Sequence, residues 1–425
     1  MSMRLSPAKA LRGTVLLPPD KSIAHRAMLF ASLGEGVSEI HNFPSAADPQ
    51  STKSCVEALG IEVREEDGVL FVHGKGMQGW RAPSGPLDCG NSGTTMRMLA
   101  GLLAGRNFDA QLIGDASLSR RPMRRVTAPL AEMGAQIATT DGHAPLRISG
   151  MPDLRGITYR LPMASAQVKS CVLLAGMLAQ TPTTVLEPIP TRDHTERMLG
   201  LIAQEQDGVR AWVMEPGFRI QPQIWRIPRD FSAAAFFLVA GSIVPDSEIL
   251  LPAVGLNPTR TALLDVLRRM GAQIDVLNPR VEAGEPVGDL RVSSSTLTGV
   301  VVEGAEVANL IDEVPVLSVA AACAEGETVI RDAGELRVKE TDRITAMTKN
   351  LRNMGAMVEE LPDGMRISGR TVWAGTEVEA FDDHRIAMAM GVASLVCSGV
   401  SHLDDPDCAR ISFPDFWDAM QGLKV

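Results

Sequence analysis

The chain has 425 residues, 45% of them apolar, enough for two hydrophobic cores, since a single core seldom grows past about 250 to 300 residues. A net charge of −10 with no long basic run excludes a nucleic-acid backbone as the expected partner, because that needs clustered Lys and Arg, and favours a small molecule. Residues 1–19 show no basic region followed by an apolar one, and no apolar stretch reaches the roughly 20 residues of a spanning helix, so a cytoplasmic protein without signal peptide or membrane anchor is expected.

In chain order, the first element with chemical character is Pro18-Pro19-Asp20-Lys21-Ser22-Ile23-Ala24-His25-Arg26. The two prolines stop a strand, Asp20 or Ser22 caps the helix that follows, and Ser22 and Arg26 then share a face. Such a start is either an anion site, where free N–H groups and the helix dipole add to the side-chain charges, or a solvated basic turn. Next comes Asp88-Cys89-Gly90-Asn91-Ser92-Gly93-Thr94-Thr95-Met96-Arg97, a glycine-rich turn into an apolar helix over 98–104. Gly93 lets backbone approach a carboxylate or phosphate closely. The segment lacks the Gly-Lys-Ser/Thr ending of a P-loop, so no nucleotide is implied, and a plain loop-to-helix turn is the alternative.

Ser117-Leu118-Ser119-Arg120-Arg121-Pro122-Met123-Arg124-Arg125 follows, dense in arginine around a proline that can open a helix. One or two of these arginines are expected to fork onto an anion, Arg121 first, while the rest face water. Met163-Ala164-Ser165-Ala166-Gln167-Val168-Lys169-Ser170 puts hydroxyl and amide donors at the mouth of an apolar helix, Ser165 being otherwise a cap. The apolar stretches 168–179 and 231–244 read as buried helices. In the second half, Ile311-Asp312-Glu313-Val314-Pro315, Val338-Lys339-Glu340-Thr341-Asp342-Arg343 and Phe381-Asp382-Asp383-His384-Arg385-Ile386 alternate carboxylates with cations. On a helix Lys339 and Arg343 align one turn apart with Glu340 beside them, which is equally the pattern of a surface ion-pair ladder.

One pattern recurs throughout: a helix closing on Leu or Met, then Gly, then a β-type segment. Clear copies are Leu59-Gly60, Met133-Gly134, Met270-Gly271 and Met354-Gly355, with degenerate copies near Ala203 and Gly422. Gly adopts the positive φ of a helix end without steric cost. Six α/β modules of this size form two globular halves of three rather than a solenoid. The six cysteines show no C-x-x-C pair and read as reduced thiols. His25, His194 and His384 lie in the motifs, but no H-E-x-x-H or Cys/His cluster is present, so no metal is expected.

Taken in order, Asp-Lys-Ser-x-x-x-Arg, Gly-Asn-Ser-Gly-Thr, Arg-Pro-Met, Ser-Ala-Gln-Val-Lys-Ser, Asp-Glu-x-Pro, Lys-Glu-Thr-Asp-Arg and Asp-His-Arg resemble the EPSP synthase family of enolpyruvyl transferases over nearly the whole chain. The resemblance implies an α/β (α+β) fold of two domains, each of three βαβαββ modules in an inverse α/β barrel, a pseudo-sixfold repeat closing on substrate. With crossings near Pro18 and Arg229, one domain spans 18–228 and carries the Lys21, Gly93, Arg121 and 165–167 motifs. The other, 1–17 plus 229–425, carries the Asp312, 339–343 and Arg385 motifs, and the active site lies in the interdomain cleft.

The implied reaction transfers the enolpyruvyl group of phosphoenolpyruvate to the 5-hydroxyl of shikimate 3-phosphate through a tetrahedral intermediate, in the shikimate pathway toward chorismate and aromatic amino acids, without a cofactor. Lys21, Gly93, Arg121, Gln167, Arg343 and Arg385 resemble the phosphoenolpyruvate site. Lys21, Ser22, Arg26, Ser165, Ala166, Gln167, Arg192, Asp312 and Lys339 resemble the shikimate 3-phosphate site. Asp312 resembles the base and Glu340 the acid, which requires a pKa tuned by burial, while Lys21 helps move protons. Gly93 leaves room for glyphosate beside Lys21. Where some relatives carry Lys before Ser/Thr-Phe-Pro, this chain has Ile411 before Ser412-Phe413-Pro414, so Arg410 stays outside the expected site. Two other readings remain: a transferase acting on UDP-N-acetylglucosamine, which typically reads Lys-Asn where this chain has Lys21-Ser22, and a non-catalytic anion sensor. A monomer is expected.

Overall fold

The computed structural model describes residues 2–369 and 373–425. The chain divides into two compact units. One contains the chain up to Pro18, Arg229–Arg280 and Pro286–Val425; the other contains Pro19–Pro228 and Val281–Glu285. Pro18 therefore falls on the other side of the expected boundary, and so do residues 281–285. Of these, Glu285 is tied to the Pro19–Pro228 unit by its carboxylate, which takes His194 Nδ1 at 2.8 Å with both side chains buried.

In the Pro19–Pro228 unit two modules are continuous in sequence and run strand, helix, strand, helix, strand, strand. The first is Leu87–Asp88, Gly93–Ala104, Ala110–Ile113, Arg124–Glu132, Gln136–Thr140 and His143–Ser149. The second is Thr158–Arg160, Ala166–Gly176, Thr183–Glu187, His194–Met198, Gln204–Gln206 and Val209–Met214. In each sheet the first two strands are parallel, and the closing hairpin returns antiparallel to the second. The remaining module, Lys21–Leu33 through Val69–Lys75, takes its first strand from Ile224–Arg226, far along the chain but parallel to Glu35–His41.

The other unit repeats this plan. Val301–Val302 through Gly364–Ser368 is a continuous module. The module built on Phe231–Ile243 takes its first strand from Arg12–Thr14, parallel to Glu248–Gly255. The last module, Glu377–Val378, His384–Ser394, Ser401–Leu403 and Phe416–Gly422, is completed by Met3–Leu5, antiparallel to Ser401–Leu403. By order of chain, Arg12–Thr14 belongs with helix Lys21–Leu33 and Ile224–Arg226 with helix Phe231–Ile243, so the two units exchange first strands. Each crossing is pinned by a backbone bond: Asp20 N donates to Pro228 O in one unit and Asp230 N to Pro18 O in the other, both at 2.9 Å.

Sheets lie outside and the first helix of each module inside. Phe231–Ile243 is buried at every residue from Phe231 to Ser242, the pattern of a helix hidden on all sides. It packs against Val314–Cys323 and His384–Ser394, which are nearly as fully buried. In the Pro19–Pro228 unit Gly93–Ala104 packs against Ala166–Gly176, with Gly101 so close that a Cβ there would stand 2.3 Å from the Cys171 carbonyl oxygen. The stretches expected as buried helices form Ala166–Gly176 and Phe231–Ile243.

The helix-ending glycines Gly60, Gly134, Gly271 and Gly355 have φ between +87° and +100°. The fifth copy is Gly200, at φ +68° after His194–Met198, three residues before the expected position near Ala203. The sixth is not a turn, because Gly422 stays inside Phe416–Gly422. The strand that would follow it comes from Met3–Leu5, so no reversal of the chain is needed there. All six cysteines are free.

Candidate active site

Every inner helix except Phe231–Ile243 begins at one of the sequence motifs. In the Pro19–Pro228 unit Asp20 caps Lys21–Leu33 by accepting Ile23 N at 2.9 Å, which decides the cap between Asp20 and Ser22. Ser92 caps Gly93–Ala104 and Ser165 caps Ala166–Gly176. A chain of hydroxyls fixes the first two helix starts together: His25 Nδ1 meets Thr52 Oγ1 at 2.6 Å, Thr52 meets Thr95 Oγ1 at 2.7 Å, and Thr95 donates to Ser92 Oγ at 2.7 Å. Burial lowers the His25 pKa to about 3, against the Asp48 carboxylate, which raises it, and with the Lys21 and Arg26 charges, which lower it. His25 is therefore neutral at physiological pH and a fixed hydrogen-bond partner.

The structure gathers Gly93, Arg97, Arg121 and Gln167. A Cβ on Gly93 would stand 2.8 Å from Arg97 Nη1 and 3.5 Å from Arg121 Nη1. Arg97, buried, donates to Gln167 Oε1, and Gln167 Nε2 donates to Thr94 Oγ1 at 3.0 Å. Arg121 Nη2 donates to Asn91 Oδ1 at 2.7 Å. Burial first, then the charges of Arg125 and Arg121, lower the Arg97 pKa to about 10. It stays cationic at neutral pH, and like charges crowded at a buried helix start are relieved by an anion. Arg97 was missed by the sequence reasoning, although it lies one helical turn after Gly93 in the same motif. Pro122 does not open the helix it precedes, which runs Arg124–Glu132.

Lys21 Nζ lies 3.2 Å from Asp48 Oδ2, both partly exposed. Arg26 is sunk beneath the same helix start at 3% exposure, donating from Nη1 to Ser22 O at 2.8 Å, from Nε to Thr195 Oγ1 at 2.7 Å and from Nη2 to Ser170 Oγ at 3.1 Å. It thus ties the Ser22 turn to the Ala166–Gly176 helix. Arg192 is near enough for its charge to help lower the Arg26 pKa to about 10, after burial, the largest cause. Lys169 of the same motif is fully buried, 2.7 Å from Glu187 Oε1 and 3.4 Å from Glu196 Oε1. The ammonium stands closer to Glu187 than to Glu196. Glu187 also accepts from Thr191 N and Trp212 Nε1, and the Lys169 charge holds its pKa below the usual range against burial. Burial pushes Glu196 up.

In the other unit Asp312 is the centre. Its carboxylate lies 3.5 Å from Arg343 Nη1, 3.7 Å from Lys339 Nζ and 4.0 Å from Arg385 Nη2. Arg343, 2% exposed, also pairs with Asp383 Oδ2 at 2.7 Å and Glu340 Oε2 at 2.6 Å. Arg385 Nη1 donates to the Asp312 carbonyl oxygen at 2.7 Å. Lys339 and Arg343 do not share a helix face. Lys339 follows the 3-10 turn Gly334–Val338 in extended backbone, and helix Arg343–Asn353 starts only after the Asp342 cap. Both still face Asp312 because the turn folds Lys339 back. The burial expected around Glu340 is absent, its side chain being 47% exposed.

Asp383 is a second residue the sequence reasoning left unassigned. Fully buried, it caps His384–Ser394 through Arg385 N at 2.8 Å and orients Arg343. Burial alone would raise its pKa, but the Arg343 guanidinium holds it below the usual carboxylate range. Its signal was the Asp immediately before His-Arg at a helix start. Arg385 is raised despite burial, by Asp312, Glu313, Asp230 and Asp383. The two sets offer fixed cations for anionic groups, plus a half-exposed carboxylate and one ringed by cations, suited to proton transfer. Among the described residues no cluster of three or more His, Cys, Asp or Glu side chains is placed to hold a metal, and no helix is long and apolar enough to cross a membrane.

Comparison with known proteins agrees with this architecture. A Salinibacter ruber protein named 3-phosphoshikimate 1-carboxyvinyltransferase is 56% identical, with both chains covered in full. One of that name from Desulforudis audaxviator is 48% identical, again with full coverage of both. A solved structure of EPSP synthase from Acinetobacter baumannii superposes with a TM-score of 0.93 at 41% identity, covering 100% of this chain and 98% of that one. The enolpyruvyl transferase NikO from Streptomyces tendae shares the fold at a TM-score of 0.77 and 18% identity, covering 99% of this chain and 96% of its own. With the sequence model described as EPSP synthase (3-phosphoshikimate 1-carboxyvinyltransferase) matching residues 5–420, and each motif of that family seated at a helix start or in the turn beside one, the chain belongs to the EPSP synthase family.

Proposed function

We propose that the protein transfers the enolpyruvyl group of phosphoenolpyruvate to the 5-hydroxyl of shikimate 3-phosphate, releasing phosphate. The observation that carries this reading is the ring of Lys339, Arg343 and Arg385 around Asp312, with Glu340 on Arg343, in a chain that belongs to the EPSP synthase family. Asp312 takes the proton of the 5-hydroxyl as its oxygen bonds to C2 of phosphoenolpyruvate, and Glu340 delivers a proton to C3. In the second step C3 returns a proton to Glu340, the double bond re-forms, and phosphate leaves with the proton that Asp312 took.

Lys21, Gly93, Arg121 and Gln167, with Arg343 and Arg385, hold the carboxylate and phosphate of phosphoenolpyruvate in this proposal. Ser22, Ser165, Ala166, Gln167, Arg192, Asp312 and Lys339 hold shikimate 3-phosphate, while Arg26 acts first by fixing Ser22 and Ser170. The enzyme works in the cytoplasm as a monomer and uses no cofactor.

Phosphate release from phosphoenolpyruvate, measured with shikimate 3-phosphate and in parallel with UDP-N-acetylglucosamine, tests the proposal. Release with the shikimate ester alone is expected. Release with the nucleotide sugar alone would assign the chain to the other transferase reaction, and release with neither, despite tight binding, would make it an anion sensor. Glyphosate should inhibit when phosphoenolpyruvate is limiting, because the Arg97 and Arg121 guanidinium groups beside Gly93 can hold a small dianion in place of phosphoenolpyruvate. Undiminished turnover at saturating glyphosate would refute that part.

A further inference from the structure

Glu313 plays no part in the chemistry above, yet it is a carboxylate 2% exposed, adjacent in sequence to the proposed base. Its Oε1 accepts the Ser232 hydroxyl at 2.5 Å and lies 3.4 Å from Arg385 Nη1. Ser232 has one proton and gives it to Glu313, so its oxygen is left to accept, and Arg260 Nη2 donates to it at 2.6 Å. Arg260 is itself buried, 3.6 Å from Asp230 Oδ1. The direction of this chain is therefore fixed: Arg260 donates to Ser232, Ser232 to Glu313, and Arg385 approaches Glu313 from the other side.

The consequence falls on Arg385. Its Nη1 is held between the Asp312 carbonyl oxygen at 2.7 Å and the Glu313 carboxylate, while Nη2 stays 4.0 Å from Asp312 Oδ2. An arginine beside a carboxylate favours a two-pronged pair at hydrogen-bond distance. Such a collapse onto Asp312 would neutralise the proposed base and turn the guanidinium away from a phosphoenolpyruvate anion. A second, buried carboxylate anchored from behind competes for Nη1 and prevents it. We propose that Glu313 is a positioning residue for the transfer reaction: it holds Arg385 off Asp312, keeping the guanidinium for phosphoenolpyruvate and the carboxylate for the 5-hydroxyl. The chain from Asp230 through Arg260 and Ser232 sets where Glu313 itself sits.

The inference rests on the proposed transferase reading, so wild type is assayed alongside Glu313→Gln and Ser232→Ala, with the KM of each substrate, kcat and the thermal midpoint measured for all three. Glu313→Gln keeps an acceptor for Ser232 but removes the charge that holds Arg385. Its KM for phosphoenolpyruvate should rise about tenfold, the weight of one charge-assisted hydrogen bond, with the KM for shikimate 3-phosphate changed less than about twofold. Ser232→Ala keeps the charge and loses only the anchor, so its rise should be selective but smaller. A purely structural role would lower the midpoint and the active fraction without separating the two KM values. Unchanged phosphoenolpyruvate dependence in both variants, or equal rises for both substrates, would overturn the inference. If Glu313→Gln fails to fold, Ser232→Ala decides alone, a selective rise supporting and no rise overturning. Absence of turnover in wild type would instead overturn the transferase reading, and this inference with it.

Discussion

Arg343 shows how much one buried side chain is asked to do. Its guanidinium is shared among Asp383, Glu340 and Asp312, so its orientation, and with it the placement of both proposed proton-transfer groups, depends on Asp383. Asp383→Asn leaves that buried cation short of a partner and should cost about 3 to 5 kcal/mol in urea unfolding. The sign of the pH effect follows from the shift. The Asp383 pKa is depressed below its ordinary 3.8 by Arg343, so its stabilisation is present above that value and lost as pH falls through the lower folded value. The difference in thermal midpoint between wild type and Asp383→Asn should therefore shrink at strongly acidic pH, and a constant gap would count against the assignment. Glu340 is exposed enough that its loss should spare the fold. Glu340→Gln is expected to lower kcat by about 10² or more with an unchanged midpoint, and near-normal turnover would remove it as the acid.

At the scale of elements, several of the proposed binding groups, Lys21, Gly93, Gln167 and Arg385 among them, lie at the first turns of the inner helices. There free N–H groups and the dipole favour anions, and caps such as Asp20, Ser92 and Asp383 hold the starts in register. Gly93 is the sharpest case because its backbone conformation is ordinary and only the space beside it is occupied. In Gly93→Ala the new methyl meets the far ends of two arginines rather than backbone, so stability should hardly change. Displaced guanidinium groups should raise the KM for phosphoenolpyruvate by roughly ten- to a hundredfold. A variant with unaltered KM would show that Arg97 and Arg121 have room to move without loss. Lys339 and Arg343 share no helix for a local reason: Asp342 caps Arg343–Asn353, and a cap is by nature the residue where helical backbone has not yet begun.

For the whole molecule, the exchange of first strands makes both chain ends part of one unit. Met3–Leu5 and Arg12–Thr14 are edge strands of two different sheets there, and residues 10–12 also pair with residues 423–425 near the C-terminus. Removing the first 14 residues should therefore destabilise the unit containing Asp312, while the sheets of the Pro19–Pro228 unit keep their slow amide exchange. Hydrogen exchange followed by mass spectrometry reads this directly. Equal loss of protection in both units would mean that they do not unfold independently.

The sequence by itself determined the modular plan, since Gly60, Gly134, Gly271 and Gly355 mark helix ends by a backbone requirement that needs no tertiary context. It also determined the buried helices, whose apolar residues leave no solvent face, and the motifs, whose residue types declare their anion chemistry. It misplaced the fifth mark and overread the sixth, because the marks in Leu199-Gly200 and Gly422 depend on whether a strand follows. Only the tertiary structure decided that Arg97 lies against Gly93 and that Arg26 is spent within its own unit. It alone assigned Asp383 and Glu313 to hold Arg343 and Arg385. Arg97 and Gly93 are one helical turn apart, while the contacts of Arg26 with Thr195, Asp383 with Arg343 and Glu313 with Arg385 join distant segments, and the direction of each is set by packing and burial rather than by local pattern.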